Sequence, residues 1–312
     1  MAWVFTGLGL VILLLAGDAL VRGAVNLALR IGVPALIVSL TIVAFGTSSP
    51  ELLISVQAVI DGVPGIALGN VVGSNTANIL LVLGIPAVLS RLHTSSCDTR
   101  KSYVIMIAAS LLFIGLCALG TITWMTAIAL LTVLALILAD QLRDALVHRN
   151  GAYEPDELEG ADLSMPGWKI AMYLALGLVG LPLGAELLID GSLQIARTFG
   201  ISETVIGLTL VAVGTSLPEL ATTVVAALRR QADVALGNVI GSNIFNMLAI
   251  VGLAGLIGPI PVDETFLRLD LWVMLGASLL LAPFVFFKLD IGRRAGVVLV
   301  AAYAGYLFFT FA

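Results

Sequence analysis

Glu51 and Glu219 each lie in the middle of an apolar stretch, with about ten mostly apolar residues on either side. A carboxylate at that depth in a hydrocarbon layer is expensive and marks a functional position. Thr47 and Ser48 stand four and three residues before Glu51, and Thr215 and Ser216 stand likewise before Glu219. In a helix those spacings put the hydroxyls on the carboxylate's own face. Pro50 and Pro218 lack an amide hydrogen, so each is expected to free the carbonyl four residues earlier, Gly46 or Gly214, and to bend the helix there. Ser74 with Asn78, and Ser242 with Asn246, form two further pairs one helical turn apart.

All of these groups offer oxygen, and within the blocks that hold them only Met247 brings a softer ligand. That disfavours zinc and copper and favours hard cations, Ca²⁺ and Na⁺ before Mg²⁺, which sheds its water reluctantly. Two carboxylates neutralise one divalent ion. Without a cation they repel, by roughly 3 kcal/mol at ~5 Å and an effective dielectric of about 20. Ca²⁺, several Na⁺ or protons can each discharge such a pair, whereas the bare pair resists closing into a dry state. The expected behaviour is exchange with little leak.

The blocks occur twice. Gly46-Thr47-Ser48-Ser49-Pro50-Glu51-Leu52 returns as Gly214-Thr215-Ser216-Leu217-Pro218-Glu219-Leu220. Leu68-Gly69-Asn70-Val71-Val72-Gly73-Ser74-Asn75 returns as Leu236-Gly237-Asn238-Val239-Ile240-Gly241-Ser242-Asn243. Both offsets are 168, since 214 − 46 and 236 − 68 agree, and Asp18/Glu186 and Asn78/Asn246 fall on the same offset. This is an internal duplication.

The elements that carry the blocks are membrane helices. The chain is 60% hydrophobic and 11% charged, with a mean hydropathy of +1.11. A soluble protein of that composition would be covered in apolar surface. A spanning helix needs about 20 apolar residues, and ten stretches qualify: 3–27, 33–60, 65–90, 102–120, 122–141, 167–196, 201–228, 234–258, 269–287 and 294–311. Runs of this length exclude a lipid-embedded β-barrel, so the expected class is an all-α integral membrane protein. The start of the chain has no basic region and reads as the first span. Cys97 and Cys117 form no ligand pattern, and a net charge of −5 gives no nucleic-acid footprint.

Basic residues orient the spans. Arg30, Arg91, Arg100, Lys101, Arg143, Arg149, Lys169, Arg229, Arg230, Lys288, Arg293 and Arg294 gather on one side, against Arg197 and Arg268 on the other. Both termini are therefore expected outside and the central loop in the cytoplasm. Residues 1–141 and 167–312 then form two five-span repeats joined by a linker over 142–166. Five is odd, so the second repeat enters the membrane inverted. Inverted repeats bring their matching, interrupted helices together at the midplane, where secondary transporters bind substrate.

The paired blocks, the ten spans and the short central loop resemble the calcium/cation antiporter superfamily, above all its prokaryotic sodium/calcium exchangers. The resemblance covers essentially the whole chain. It implies a packed core of spans 2–5 and 7–10, with long, tilted spans 1 and 6 sliding across it. It also implies a central calcium site from Glu51, Glu219, Thr47 and Thr215, and flanking sodium sites from Ser48, Ser74, Ser216, Ser242 and the carbonyls of Ala44 and Ala212. Members differ between Asn and Asp at the positions of Asn78 and Asn246. Both are Asn here, which leaves the choice of Na⁺ or H⁺ as counter-ion open.

The expected function is thus Ca²⁺/Na⁺ antiport in a prokaryotic cytoplasmic membrane, with H⁺-driven exchange as the alternative and a passive channel behind both. Catalysis is not expected, because no His or Lys lies in the core to activate Ser48 or Ser216; nor is a cofactor or an obligatory protein partner. Gly69/Gly73 and Gly237/Gly241 suit close helix packing as well as any site role. Asp18 and Arg22 are expected to pair with each other or to sit near the membrane interface, as are Glu186 and Asp190, and His93 and His148 to be solvated. Glu154, Asp156, Glu157, Glu159 and Asp162 match no calcium-loop spacing and read as a solvated hairpin.

Overall fold

A computed structural model describes residues 2–147, 162, 164–199, 214–264 and 266–311. His148, the acidic run at Glu154, Asp156, Glu157 and Glu159, Ala212 and the first half of the seventh stretch lie outside them. The described residues are helical almost throughout. Among the described residues seven helices are long and apolar enough to cross a membrane, or eight if Ala35–Thr47 and Ser49–Ile60 are one bent span. Leu15, Leu53, Leu136 and Phe309 are exposed on their outer faces, as lipid-facing residues would be.

The helices in chain order are α1 (Ala2–Ile31), α2a (Ala35–Thr47), α2b (Ser49–Ile60), α3 (Pro64–Leu89), α4 (Arg100–Cys117) and α5 (Trp124–Val147). They continue with α6 (Gly167–Thr198), α7 (Leu217–Leu228), α8 (Ala232–Ile257), α9 (Phe266–Phe286) and α10 (Arg293–Phe311). Among the described residues one two-residue antiparallel pair departs from helix, Thr121 opposite Pro261 and Ile122 opposite Ile260, beside the single Leu92–Ile291 bridge. The pair ties the α4–α5 connection to the end of α8.

The duplication extends to element boundaries. Ser49–Ile60 matches Leu217–Leu228, and Pro64–Ala77 matches Ala232–Phe245. A π-helical turn at Asn78–Val82 matches one at Asn246–Ile250. Such one-residue bulges concentrate at functional sites, and each begins at a predicted site asparagine.

α1 and α6 cross antiparallel along a seam of small residues. A Cβ on Gly9 would stand 2.5 Å from the Leu188 amide nitrogen, and one on Gly184 would stand 2.9 Å from that of Leu13. Further along, a Cβ on Gly177 would meet that of Leu20 at 2.5 Å. Backbones this close leave no room for side chains in the seam.

At one end of the molecule two connections are tied together. Leu92 and Ile291 exchange backbone hydrogen bonds of 3.1 Å. Beside them the Asp290 carboxylate accepts the Ser95 amide at 3.0 Å and lies 3.0 Å from Arg91 Nε and 3.3 Å from His93 Nδ1. His93 is therefore exposed on one side but paired on the other, where the sequence suggests only solvent. Burial opposes ionisation of Asp290, but Ser95, Arg91 and His93 outweigh it and hold the carboxyl below the usual range.

Candidate functional site

The helix break predicted at Pro50 falls at Ser48, whose φ of −84° and ψ of 7° leave the helical region. Ser216 repeats it at −86° and 7°. α2a and α2b meet there at 45°. Each proline sits in the first turn of the helix after the break, where its missing amide costs nothing. One expectation is corrected: the Gly46 carbonyl is not left free, because Ser49 Oγ donates to it at 2.7 Å. Leu217, at the matching position, has no hydroxyl to do the same for Gly214.

The breaks aim both glutamates into the protein. Glu51 and Glu219 are fully buried, with Thr47, Ser48, Ser74, Asn78, Ser216, Ser242, Asn246 and Ala44 buried around them. The repeats interlock at this level. Ser48 Oγ donates to Glu219 Oε1 at 2.9 Å, and Ser242 Oγ approaches the same oxygen at 3.5 Å. Thr47 Oγ1 donates to Asn238 Oδ1 at 3.1 Å, and Asn78 Nδ2 donates to Asn243 Oδ1 at 3.0 Å. The Ala44 carbonyl accepts the Ser48 amide at 3.0 Å and Thr47 Oγ1 at 3.3 Å.

Among the described residues several buried oxygens find no partner. Both carboxylate oxygens of Glu51, Glu219 Oε2, Ser216 Oγ and the Oδ1 atoms of Asn75, Asn78 and Asn246 have none. Buried polar atoms are almost always hydrogen-bonded, and an unpaired buried carboxylate is among the costliest exceptions. A set of oxygens with this deficit matches the preference of a hard cation. The deficit is lopsided: Glu219 is held by two serines, whereas Glu51 has no such donor.

The sequence did not assign Asn70 and Asn238, yet both brace the glutamate helices. Asn70 Nδ2 donates to the Glu51 carbonyl at 3.1 Å and to Ser55 Oγ at 3.0 Å. Asn238 Nδ2 reaches the Glu219 carbonyl at 3.4 Å and Thr223 Oγ1 at 3.3 Å. The signal was present, since Ser55 and Thr223 also stand 168 apart.

The signature glycines have separate tasks. A Cβ on Gly241 would stand 2.5 Å from the Leu40 carbonyl oxygen, and one on Gly237 would stand 2.8 Å from that of Leu36. These two let α8 touch α2a. Nothing comes closer than 3.7 Å to the Cβ positions of Gly69 and Gly73 among the described residues. A Cβ on Gly214 would meet Ile189 Cδ1 of α6 at 2.6 Å. α6 therefore lies directly against the break.

Thr215 is only half-buried and lines a cavity of about 260 Å³ with Pro50, Ile54, Pro218 and, from α6, Glu186 and Asp190. The cavity reaches the helix breaks from one face of the molecule.

Comparison with known proteins agrees with this geometry. Residues 1–142 and 169–312 match the protein-family model described as sodium/calcium exchanger protein. CaxA of Alkalimonas amylolytica is 36% identical over 319 residues, covering 99% of this chain and 98% of that protein. The sodium/calcium exchanger MaX1 of Methanosarcina acetivorans is 35% identical over 344 residues, covering 96% and 95%. Among solved structures, the sodium-calcium exchanger NCX_Mj superposes with a TM-score of 0.82 at 31% identity, covering 97% of this chain and 96% of that one.

Proposed function

Because the chain belongs to the sodium/calcium exchanger family and is an integral membrane protein of the cation-antiporter class, we propose that it exchanges Ca²⁺ for Na⁺ by alternating access. The observation that carries this reading is the group of unpaired buried oxygens around Glu51 and Glu219. Two carboxylates with hydroxyl and amide oxygens suit one Ca²⁺, and the same oxygens shared among smaller charges suit Na⁺. Glu51 and Glu219 hold the calcium with Thr47 and Thr215. Ser48, Ser74, Ser216, Ser242, Asn78, Asn246 and the carbonyls of Ala44 and Ala212 complete the sodium positions.

The arrangement around this site is two inverted five-span repeats, 1–141 and 167–312, joined by a cytoplasmic linker over 142–166. Both termini lie outside a prokaryotic cytoplasmic membrane. Support comes from the matched helix boundaries, the antiparallel crossing of α1 and α6 and the one-sided distribution of Lys and Arg. Glu51 and Glu219 resist burial as a bare pair, so the loaded carrier changes face faster than the empty one.

The test is Ca²⁺ uptake into proteoliposomes at equal pH, with Na⁺ or an impermeant organic cation inside. Uptake that requires internal Na⁺ supports the proposal. Uptake that ignores Na⁺ and follows an imposed pH difference reassigns the counter-ion to H⁺, and uptake driven by neither gradient makes the protein a passive pathway.

A further inference from the structure

Asp18 of α1 has a partner the sequence did not indicate. Arg229, the residue that ends α7, donates from Nε to Asp18 Oδ1 at 2.5 Å, and its terminal nitrogen is paired to the same oxygen. Arg22, one turn along α1, approaches Asp18 Oδ2 at 2.9 Å. The cluster joins α1 to the end of α7, where a cation also suits the helix dipole.

The repeat places a counterpart on the other face. Adding 168 to 18 and 22 gives Glu186 and Asp190 of α6, and subtracting 168 from 229 gives Asp61, which ends α2b as Arg229 ends α7. All three counterparts are acidic. Glu186 and Asp190 line the cavity with Ile54, and Asp61 stands two turns beyond Ile54 on the same helix face. Among the described residues neither Glu186 nor Asp190 has a basic partner, and Asp61 meets only Gln57 Nε2, at 2.8 Å. Gly184 meets Leu13 and Gly9 meets Leu188, so Glu186 is level with residues 9–13 of α1. Asp18 therefore lies roughly 10 Å further along the crossing, at the helical rise.

Matching positions thus carry a bridging ion pair where α1 packs on α7, a Cβ on Gly17 standing 3.2 Å from the Ala221 carbonyl oxygen, and like charges on the side of the cavity. We infer that Asp18 and Arg229 are positioning residues of the exchange cycle. Their ion pair latches the face opposite the cavity and holds the empty carrier open at the cavity, because the matching positions on the cavity side, Glu186, Asp190 and Asp61, are all acidic. The inference rests on the alternating-access reading above.

The test is the rate at which an impermeant maleimide labels Ile54→Cys in nanodiscs without Ca²⁺ or Na⁺; the native Cys97 and Cys117 are buried. Asp18→Asn and Arg229→Gln are each expected to slow labelling, by at most about fivefold, the scale of one partly exposed ion pair. The double variant should be no slower than the more affected single one, and Asp18→Glu should restore the rate. Asp61→Arg gives Glu186 the missing cation, so it should also slow labelling, and adding Glu186→Gln should reverse the effect. Unchanged labelling in Asp18→Asn and Arg229→Gln, additive effects of the two, or no response to Asp61→Arg overturns the inference. These rates are read without transport, so a failure of the sodium/calcium assignment in the uptake assay leaves them standing and is told apart from a failure of the latch.

Discussion

Asn75 and Asn243 donate their side-chain amides to each other's backbone carbonyls, Asn75 Nδ2 to Asn243 O at 3.2 Å and Asn243 Nδ2 to Asn75 O at 3.3 Å. They are equivalent residues, since 243 − 75 is 168. A reciprocal contact between equivalents sits where a two-fold relation between the repeats would pass. Replacing either by Ala leaves a buried carbonyl without its donor and should cost about 1–3 kcal/mol. Thermal unfolding in detergent measures this, and the double variant should lose less than the sum of the singles.

The lopsided bonding of the two glutamates predicts different effects of neutralising them. Glu51→Gln removes a buried charge that has no donor, so the ion-free protein should melt at a higher temperature than the native one. Glu219→Gln weakens the bonds from Ser48 and Ser242 and should bring no such gain. In both variants Na⁺-dependent Ca²⁺ uptake should fall by about a hundredfold or more, with the folded, monodisperse peak in size-exclusion chromatography retained. Native uptake in either would refute their place in the site.

Calcium itself should stabilise the fold. At a concentration about a hundred times its dissociation constant, a ligand specific to the native state contributes about 2.7 kcal/mol. Titrating Ca²⁺ should raise the unfolding temperature of the native protein and leave that of Glu51→Gln unmoved. A chelator should reverse the shift.

Gly241 should tolerate no side chain. With a Cβ 2.5 Å from the Leu40 carbonyl oxygen and 2.7 Å from the Cβ of Ala44, Gly241→Val must push α8 off α2a, at a cost of about 1–3 kcal/mol or more. Gly115→Ala, on a side of α4 with no described atom within 4 Å of the new methyl, is the control. It should match or exceed native stability.

The Asp290 cluster predicts an acid-side dependence. Its carboxyl is held below the usual value in the folded state, so the stability it contributes is complete above the unfolded value of about 4 and disappears as pH falls through the lower folded one. Asp290→Asn should therefore lower the unfolding temperature near pH 7, and the gap to native should narrow as pH is taken from about 5 to about 3. A gap that widened in acid would contradict the assignment.

The parts legible in the sequence are those written in local pattern or in repetition. The burial of Glu51 and Glu219, the oxygen-bearing residues around them and the 168-residue offset needed no coordinates, and the described helices follow the expected stretches closely. What could not be read depends on which surfaces meet. Arg229 lies 211 residues from Asp18, and nothing near either residue names the other. Ser49 and Leu217 differ in one hydroxyl, yet that hydroxyl decides whether a freed carbonyl is retaken. The unequal bonding of two glutamates in near-identical blocks was hidden for the same reason, because donors reach Glu219 from both repeats.

The small-residue seam between α1 and α6 also bears on how the protein is made. Gly9 leaves the ribosome some 175 residues ahead of Gly184 and Leu188, a lag of roughly 10–35 s at ordinary synthesis rates. During that interval the first half has a groove with nothing but lipid to fill it, and chains that lie close together in the membrane can insert each other's α6. The covalent connection between α1 and α6 keeps a chain's own α6 within reach when the groove is ready to close.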